Sequence, residues 1–297
     1  MSGGQSVAGG GAAKRSEDGR IGWLFDPKLV SVALASVAVV VAGGLVQVSF
    51  GAYSMTVVEA WRALLDPAVL FRTDVWAAFL LGGDLPPMER RHLVVWNIRL
   101  PRVLVGIAAG ATLAVSGAVF QAVTRNELAS PFVLGVSSGA GFAVLATLVL
   151  FSGLAPFLPL FAALGGAAAF VLVYAIAWKG GTTPVRLVLA GIVVSMIFHS
   201  LQQGLFYLAD DLGAVQSAIA WTTGSLTGAD WEQVRVVLLP GTAAVGLSLL
   251  GARQLNLLLL GERTAKSLGM RVETVRFGMA AVAILAASTA IAVAGIV

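Results

Sequence analysis

Apolar runs long enough to cross a bilayer recur along this chain, from Leu29 to its last residue. A spanning helix needs about 20 predominantly apolar residues, because the hydrocarbon core is about 30 Å thick and each helical residue rises about 1.5 Å. The repetition of such runs predicts an all-α polytopic membrane protein rather than an anchored globular domain. Composition agrees: 58% of the 297 residues are hydrophobic and 11% charged, against roughly 25% charged in an ordinary soluble domain.

Seven spans are predicted, at about 29–50, 103–122, 132–151, 157–178, 186–208, 233–257 and 276–297. Residues 1–28 are small and polar and are expected to form a disordered tail. The first apolar run is too long for a signal-peptide core and is read as a retained helix. The gap from Gly51 to Arg102 offers one amphipathic piece, "TVVEAWRALL", and then a Pro-rich, charged loop.

Placing the N-terminus in the cytoplasm puts twelve of the nineteen basic residues on that side: Lys14, Arg15, Arg20, Lys28, Arg125, Lys179, Arg186, Arg253, Arg263, Lys266, Arg271 and Arg276. The positive-inside rule favours that orientation. Trp96, Trp221 and Trp231 then fall at the outer interface and Trp178 at the inner one, where lipid anchoring is expected. The net charge of +4 is small and predicts no nucleic-acid partner. The absence of cysteine removes disulfides, thiolate metal sites and iron–sulfur clusters.

The spans are rich in Gly, Ala and Ser at three- and four-residue spacing, which lets helices approach closely in lipid. Setting Gly295 on Gly117 aligns "ILAASTAIAVAGIV" with "GIAAGATLAVSGAV", with six of fourteen positions identical. In the assigned topology the two spans run in opposite directions, the pattern of an inverted repeat. Such a repeat predicts about three further spans after Phe277, and hence about seven of ten present.

Candidate chemistry is sparse. His199, Gln202 and Gln203 lie in the fifth span, where polar groups face a path or a neighbouring helix; both readings stand. Ser137 and Ser138, in the run Gly135–Gly141, are candidates for path lining or for tight packing alone. No metal site, cofactor site or catalytic constellation is read, and no Asp or Glu falls inside a predicted span, which argues against proton coupling. "GERTAKS" resembles a phosphate loop, but Ala265 stands where the pattern needs glycine before the lysine.

Two blocks carry a wider resemblance: "WNIRLPRVLVGIAAGATLAVSGAVFQAVTRNELASPFVLGVSSGAG", Trp96 to Gly141, and "LNLLLLGERTAKSLGM", Leu255 to Met270. The chain resembles the FecCD family of ATP-binding-cassette (ABC) importer permeases, over residues 29–297. The resemblance implies a type II ABC importer permease architecture of about ten spans, in a bacterial or archaeal cytoplasmic membrane. It also implies a homodimer with two cytoplasmic ATPase subunits and a periplasmic or lipid-anchored substrate-binding protein. The expected cargo is an iron siderophore, haem or corrinoid such as vitamin B12; an ion-coupled secondary transporter is the alternative.

By resemblance, Arg99 and Arg102 of "IRLPR" meet acidic residues of the binding protein. Asn126 and Leu128 close the cytoplasmic end of the path, with Glu127 replacing the family's proline. Residues 261–270 form the segment that rests on the ATPase, with Gly261, Glu262, Arg263, Ala265, Lys266, Leu268 and Gly269 as its site residues. A short helix over Glu262–Leu268 is expected there, with Ala265 and Leu268 on one apolar face and Gly261 and Gly269 as its start and stop.

Overall fold

The computed structural model describes residues 26–51, 53–208 and 212–296. The expected disordered tail falls, for residues 1–25, outside the described residues. Fourteen α-helices are described. The first is α1 (Pro27–Ser49), followed by four short ones: α2 (Val57–Leu64), α3 (Pro67–Leu70), α4 (Thr73–Leu81) and α5 (Arg90–Val94). A π-helical turn (Val95–Arg99) leads from α5 into α6 (Leu100–Thr124). Then come α7 (Val136–Leu150), α8 (Leu158–Ala177), α9 (Pro184–Tyr207), α10 (Leu212–Thr223) and α11 (Trp231–Leu250). The last are α12 (Ala252–Leu259), α13 (Glu262–Ser267) and α14 (Val272–Ala294).

Among the described residues, six helices are long and apolar enough to span a membrane, with α5, the π turn and α6 counting as one. The chain is a multi-pass membrane protein. The expected third span is only fifteen residues long as α7, because Gly135, at φ +79°, ends a turn that consumes its first residues. The expected sixth span breaks at Gly251, where α14 passes so close that a Cβ would strike the Met279 sulfur. In the gap after α1 the expected amphipathic piece is α2, but the expected loop beyond it holds α3, α4 and α5, which with α2 form a cap; α10 occupies the segment after α9.

The bundle is built around α14. Its spanning stretch is 72% buried, against none for α1 and a third or less for the other long helices. Its buried face carries Ala280, Ala283, Ala286, Ala287, Ala290 and Ala294, small residues that let α6, α8 and α11 approach without a hydrophobic drive from solvent. α6 and α14 lie antiparallel. Val119, Phe120 and Val123 of α6 share a cluster with Met279, Ala280 and Ala283 of α14, while Val105 and Ala109 meet Ala290, Val293 and Ala294. Ser116 Oγ donates to the Ala283 carbonyl at 2.7 Å between them. This is the relative direction that the inverted repeat requires.

α7 and α8 cross at Gly139 and Gly165. A Cβ on either would sit 2.5 Å from the other's carbonyl oxygen, so the small-residue run of α7 is at this point a packing device. The loops around 125–134, 178–183 and 251–271 gather at one end of the bundle. The α2–α5 cap and the 224–230 loop close the other. The first is called here the basic end and the second the capped end.

Candidate functional site

At the basic end, α13 is a short helix held at both ends by glycine. Gly261 precedes it at φ +107° and Gly269 follows at φ +82°. Met270 N–H donates to the Ala265 carbonyl and Gly269 N–H to that of Lys266, both at 3.0 Å. This pair of bonds closes the helix in a left-handed glycine cap and satisfies its last carbonyls. Glu262 stands in the first turn and Lys266 in the last, each matching the helix dipole.

Ala265 is fully buried in the apolar cluster that contains Val272 and Leu258. Leu268, by contrast, is 61% exposed. The expectation that the two share one apolar face is corrected: the helix stops at Ser267, and the core takes Ala265 alone. What α13 presents outward is Arg263, Thr264, Lys266, Ser267 and Leu268.

The turn after α6 lies beside α13. Arg125 adopts φ +50°, a left-handed conformation that no other described non-glycine residue adopts. Its N–H donates to the Ala122 carbonyl and that of Asn126 to Gln121, repeating the cap seen at Gly269. The Asn126 side chain accepts from Leu128 N–H at 3.0 Å, which tightens the turn and leaves Leu128 85% exposed at its apex. The Arg125 guanidinium lies 3.8 Å from where a Gly261 Cβ would stand. The structure therefore brings Asn126, Leu128 and the Gly261–Gly269 segment together.

A buried polar network behind α13 escaped the sequence reading. Arg276, fully buried, donates to Glu262 Oε1 at 2.6 Å, Glu273 Oε1 at 2.8 Å and the Thr182 carbonyl at 2.8 Å. Glu273 also accepts from Tyr174 and Thr182 hydroxyls at 3.0 and 2.9 Å. Because α14 begins at Val272, four residues before the expected span, Glu273 lies in its first turn, correcting the expectation that no span holds a carboxylate. The i, i+3 spacing of Glu273 and Arg276 is the one sequence signal that pointed here.

The path-lining candidates divide. Gln202 is buried and its amide donates to the Ser138 carbonyl at 2.8 Å, tying α9 to α7. Ser137 and Ser138 are buried with it, and the Ser138 hydroxyl donates to the Gly135 carbonyl. His199 and Gln203 lie instead on the exposed face of α9, with the Phe132 ring 6.3 Å from the imidazole. Among the described residues, no group of His, Cys, Asp and Glu could hold a metal.

At the capped end, Pro101 has no N–H to give the Asn97 carbonyl, and the helix widens into the π turn just before it. That shift turns Arg99 inward. Its guanidinium donates to the carbonyls of Val48 (2.7 Å), Ser49 (3.2 Å) and Tyr53 (2.8 Å), closing the C-terminal end of α1. Arg102 is half-buried and donates to the Leu226 carbonyl at 3.1 Å. Arg99 thus presents no free charge at the surface, whereas Arg102 stands at its edge.

Two of the three tryptophans expected in the outer interface are corrected too, Trp221 being only partly buried. Trp96 and Trp231 are buried and flank Phe79, with Trp231 stacked on it at 4.5 Å. Trp231 Nε1 donates to the Trp96 carbonyl and Trp96 Nε1 to that of Ala63. Trp178 at the other end is half exposed. Beside this cluster Glu59 closes the N-terminus of α2, and the Thr56 backbone N–H holds its carboxyl below the usual range.

The family model described as the FecCD transport family matches residues 34–297. The chain belongs to the FecCD transport family. It is 36% identical over 207 residues to the Fe(3+)-citrate import system permease protein YfmD of Bacillus subtilis, covering 70% of this chain and 61% of that one. It is 38% identical over 215 residues to the iron(3+)-hydroxamate import system permease protein FhuG of the same organism, covering 69% and 63%. This FecCD chain thus spans a little over three fifths of the length of these relatives. With the ferric enterobactin transport system permease protein FepG of Escherichia coli the identity is 36%, over 79% of this chain and 70% of that one. In fold, it matches a metal-chelate type ABC transporter solved in an inward-facing conformation. The TM-score is 0.71 at 24% identity, covering 89% of this chain and 76% of the other.

Proposed function

We propose that this chain is the transmembrane permease subunit of an ABC importer. It would carry a bulky iron chelate from a binding protein on the capped side into the cytoplasm on the basic side. The observation that carries the reading is α13. It is anchored inward by Ala265, clamped by Gly261 and Gly269, and presents Arg263, Lys266 and Leu268 beside the Leu128 turn. A rigid amphipathic element of this kind fits a groove on a partner and passes on a push without absorbing it.

In this reading the N-terminus is cytoplasmic and residues 29–297 form the permease domain, with 261–270 as its coupling segment. Two such chains pair around a central path. ATP binding on two separate ATPase subunits displaces α13, and the adjoining Asn126–Leu128 turn opens or closes the inner end of the path. His199 and Gln203 line that path from the open face of α9, while Gln202 and Ser138 hold α9 on α7. Arg102 and the charged rim of the cap receive the binding protein, and Arg99 supports that surface from behind. The cargo class follows the names of the relatives, which carry ferric citrate, ferric hydroxamates and ferric enterobactin; haem and corrinoids are the neighbouring classes.

The test is iron-chelate uptake into proteoliposomes holding the permease and its cognate ATPase. Uptake should require ATP and the ATPase. Uptake that persists without the ATPase under an ion gradient would establish the secondary-transporter alternative instead.

A further inference from the structure

A push on α13 needs a rigid route to the N-terminus of α9 if it is to move the bundle. The buried guanidinium of Arg276 supplies a connection. It bonds Glu262 at the first position of α13, Glu273 on its own helix, and both the carbonyl and the hydroxyl of Thr182 in the α8–α9 loop. Thr182 N–H in turn donates to Glu273 Oε1 at 3.2 Å. Thr182 is followed by Thr183, whose hydroxyl caps the N-terminus of α9. In the same loop Trp178, Lys179 and Gly180 are exposed, while Arg186 of α9 donates to the Gly181 carbonyl at 3.3 Å.

We infer that Arg276 is a positioning residue, a joint that makes α13 and the α8–α9 loop move as one body, so that displacement of α13 is delivered to the N-terminus of α9. The inference rests on the coupling role proposed for α13. Drawing α13 away alone would leave a fully buried guanidinium short of a carboxylate, which a low-dielectric interior strongly penalises. The loop therefore follows. From α9 the movement continues to α7 through the buried Gln202–Ser138 bond.

Stability alone gives a poor reason for the arrangement. Arg276 Nε is buried without a partner, and a buried ion pair is commonly no more stable than apolar residues of the same volume. What the network supplies is a fixed register between α13 and a loop whose Thr182 lies 94 residues before Arg276 in sequence.

The absence of cysteine makes the test clean. Lys179→Cys and Ser267→Cys place two spin labels on exposed positions of the α8–α9 loop and α13 in the full chain assembled with its ATPase. With Arg276 intact, the interlabel distance should stay the same in nucleotide-free and ATP-bound complexes. In Arg276→Gln it should broaden and change with nucleotide, and the ATP hydrolysed per substrate delivered should rise about tenfold. Thr182→Val, which is nearly isosteric, should move both readouts in the same direction by less, and it decides the matter if Arg276→Gln fails to fold. A wild-type complex without ATP-driven uptake overturns the coupling role and the joint together. Normal wild-type uptake, with distance and stoichiometry unmoved in a folded Arg276→Gln or in Thr182→Val, overturns the joint alone.

Discussion

Replacing Arg99 should destabilise the permease rather than release its binding protein. The guanidinium serves three carbonyls at the end of α1, and two of them belong to Val48 and Ser49, which are 2% and 7% exposed. The third, on Tyr53, belongs to an exposed residue that water reaches. In Arg99→Met the side chain keeps most of its length and loses every donor. Each buried carbonyl left unpaired costs about 1–3 kcal/mol, so two cost roughly 2–4 kcal/mol after relaxation. The lost interaction with the negative end of the α1 dipole adds about 0.3–1 kcal/mol. For a chain of this size that corresponds to a melting shift on the order of 5–10 °C, read by thermal unfolding in detergent. Binding-protein capture by the protein that stays folded should be nearly unchanged. A variant that melts with the wild type and loses capture tenfold would refute the buried-cap reasoning and restore Arg99 as a docking charge.

Three further outcomes are expected. Gly139→Ala drives a Cβ onto the Gly165 carbonyl and should cost about 1–3 kcal/mol in unfolding assays; Gly43→Ala, with open space around it, should be neutral or stabilising by about 1 kcal/mol. Ala265→Leu overfills the α13 anchor and should lose about 1–3 kcal/mol, whereas Leu268→Ala should melt within about 0.5 kcal/mol of wild type and weaken co-purification of the ATPase; the reverse pattern would mean the two residues have exchanged roles. Trp178→Phe should remove a fraction of the emission that brominated lipid quenches and Trp231→Phe should not, since Trp231 lies inside the Phe79 cluster; equal losses would contradict the burial.

The long spans were legible because a bilayer imposes one rule on every residue of a crossing helix: satisfy the backbone internally and present apolar side chains. The predicted runs at 29–50, 157–178 and 186–208 differ from α1, α8 and α9 by a residue or two at each end. Of the α2–α5 cap only α2 was legible, as the amphipathic "TVVEAWRALL"; α3, α4 and α5 were not, since helices of four to nine residues depend on what they pack against rather than on their own periodicity. Arg99 was read as facing out from the resemblance of its motif alone, and the widening before Pro101 turns it onto the end of α1 instead. The ends of α13 were read from its glycines, yet beyond the local Glu273–Arg276 pair the network that ties it down joins residues too far apart for a local pattern to reveal.

The central claim is that α13, at the basic end, is where the ATPase meets the chain. The absence of cysteine allows one direct measurement: thiol cross-linking to the ATPase from Lys266→Cys on α13, with Leu85→Cys in the cap as control, in complexes that retain ATP-driven uptake. The account predicts an ATPase adduct from Lys266→Cys and none from Leu85→Cys. An adduct from position 85 alone, or none from position 266 while uptake is intact, would contradict it.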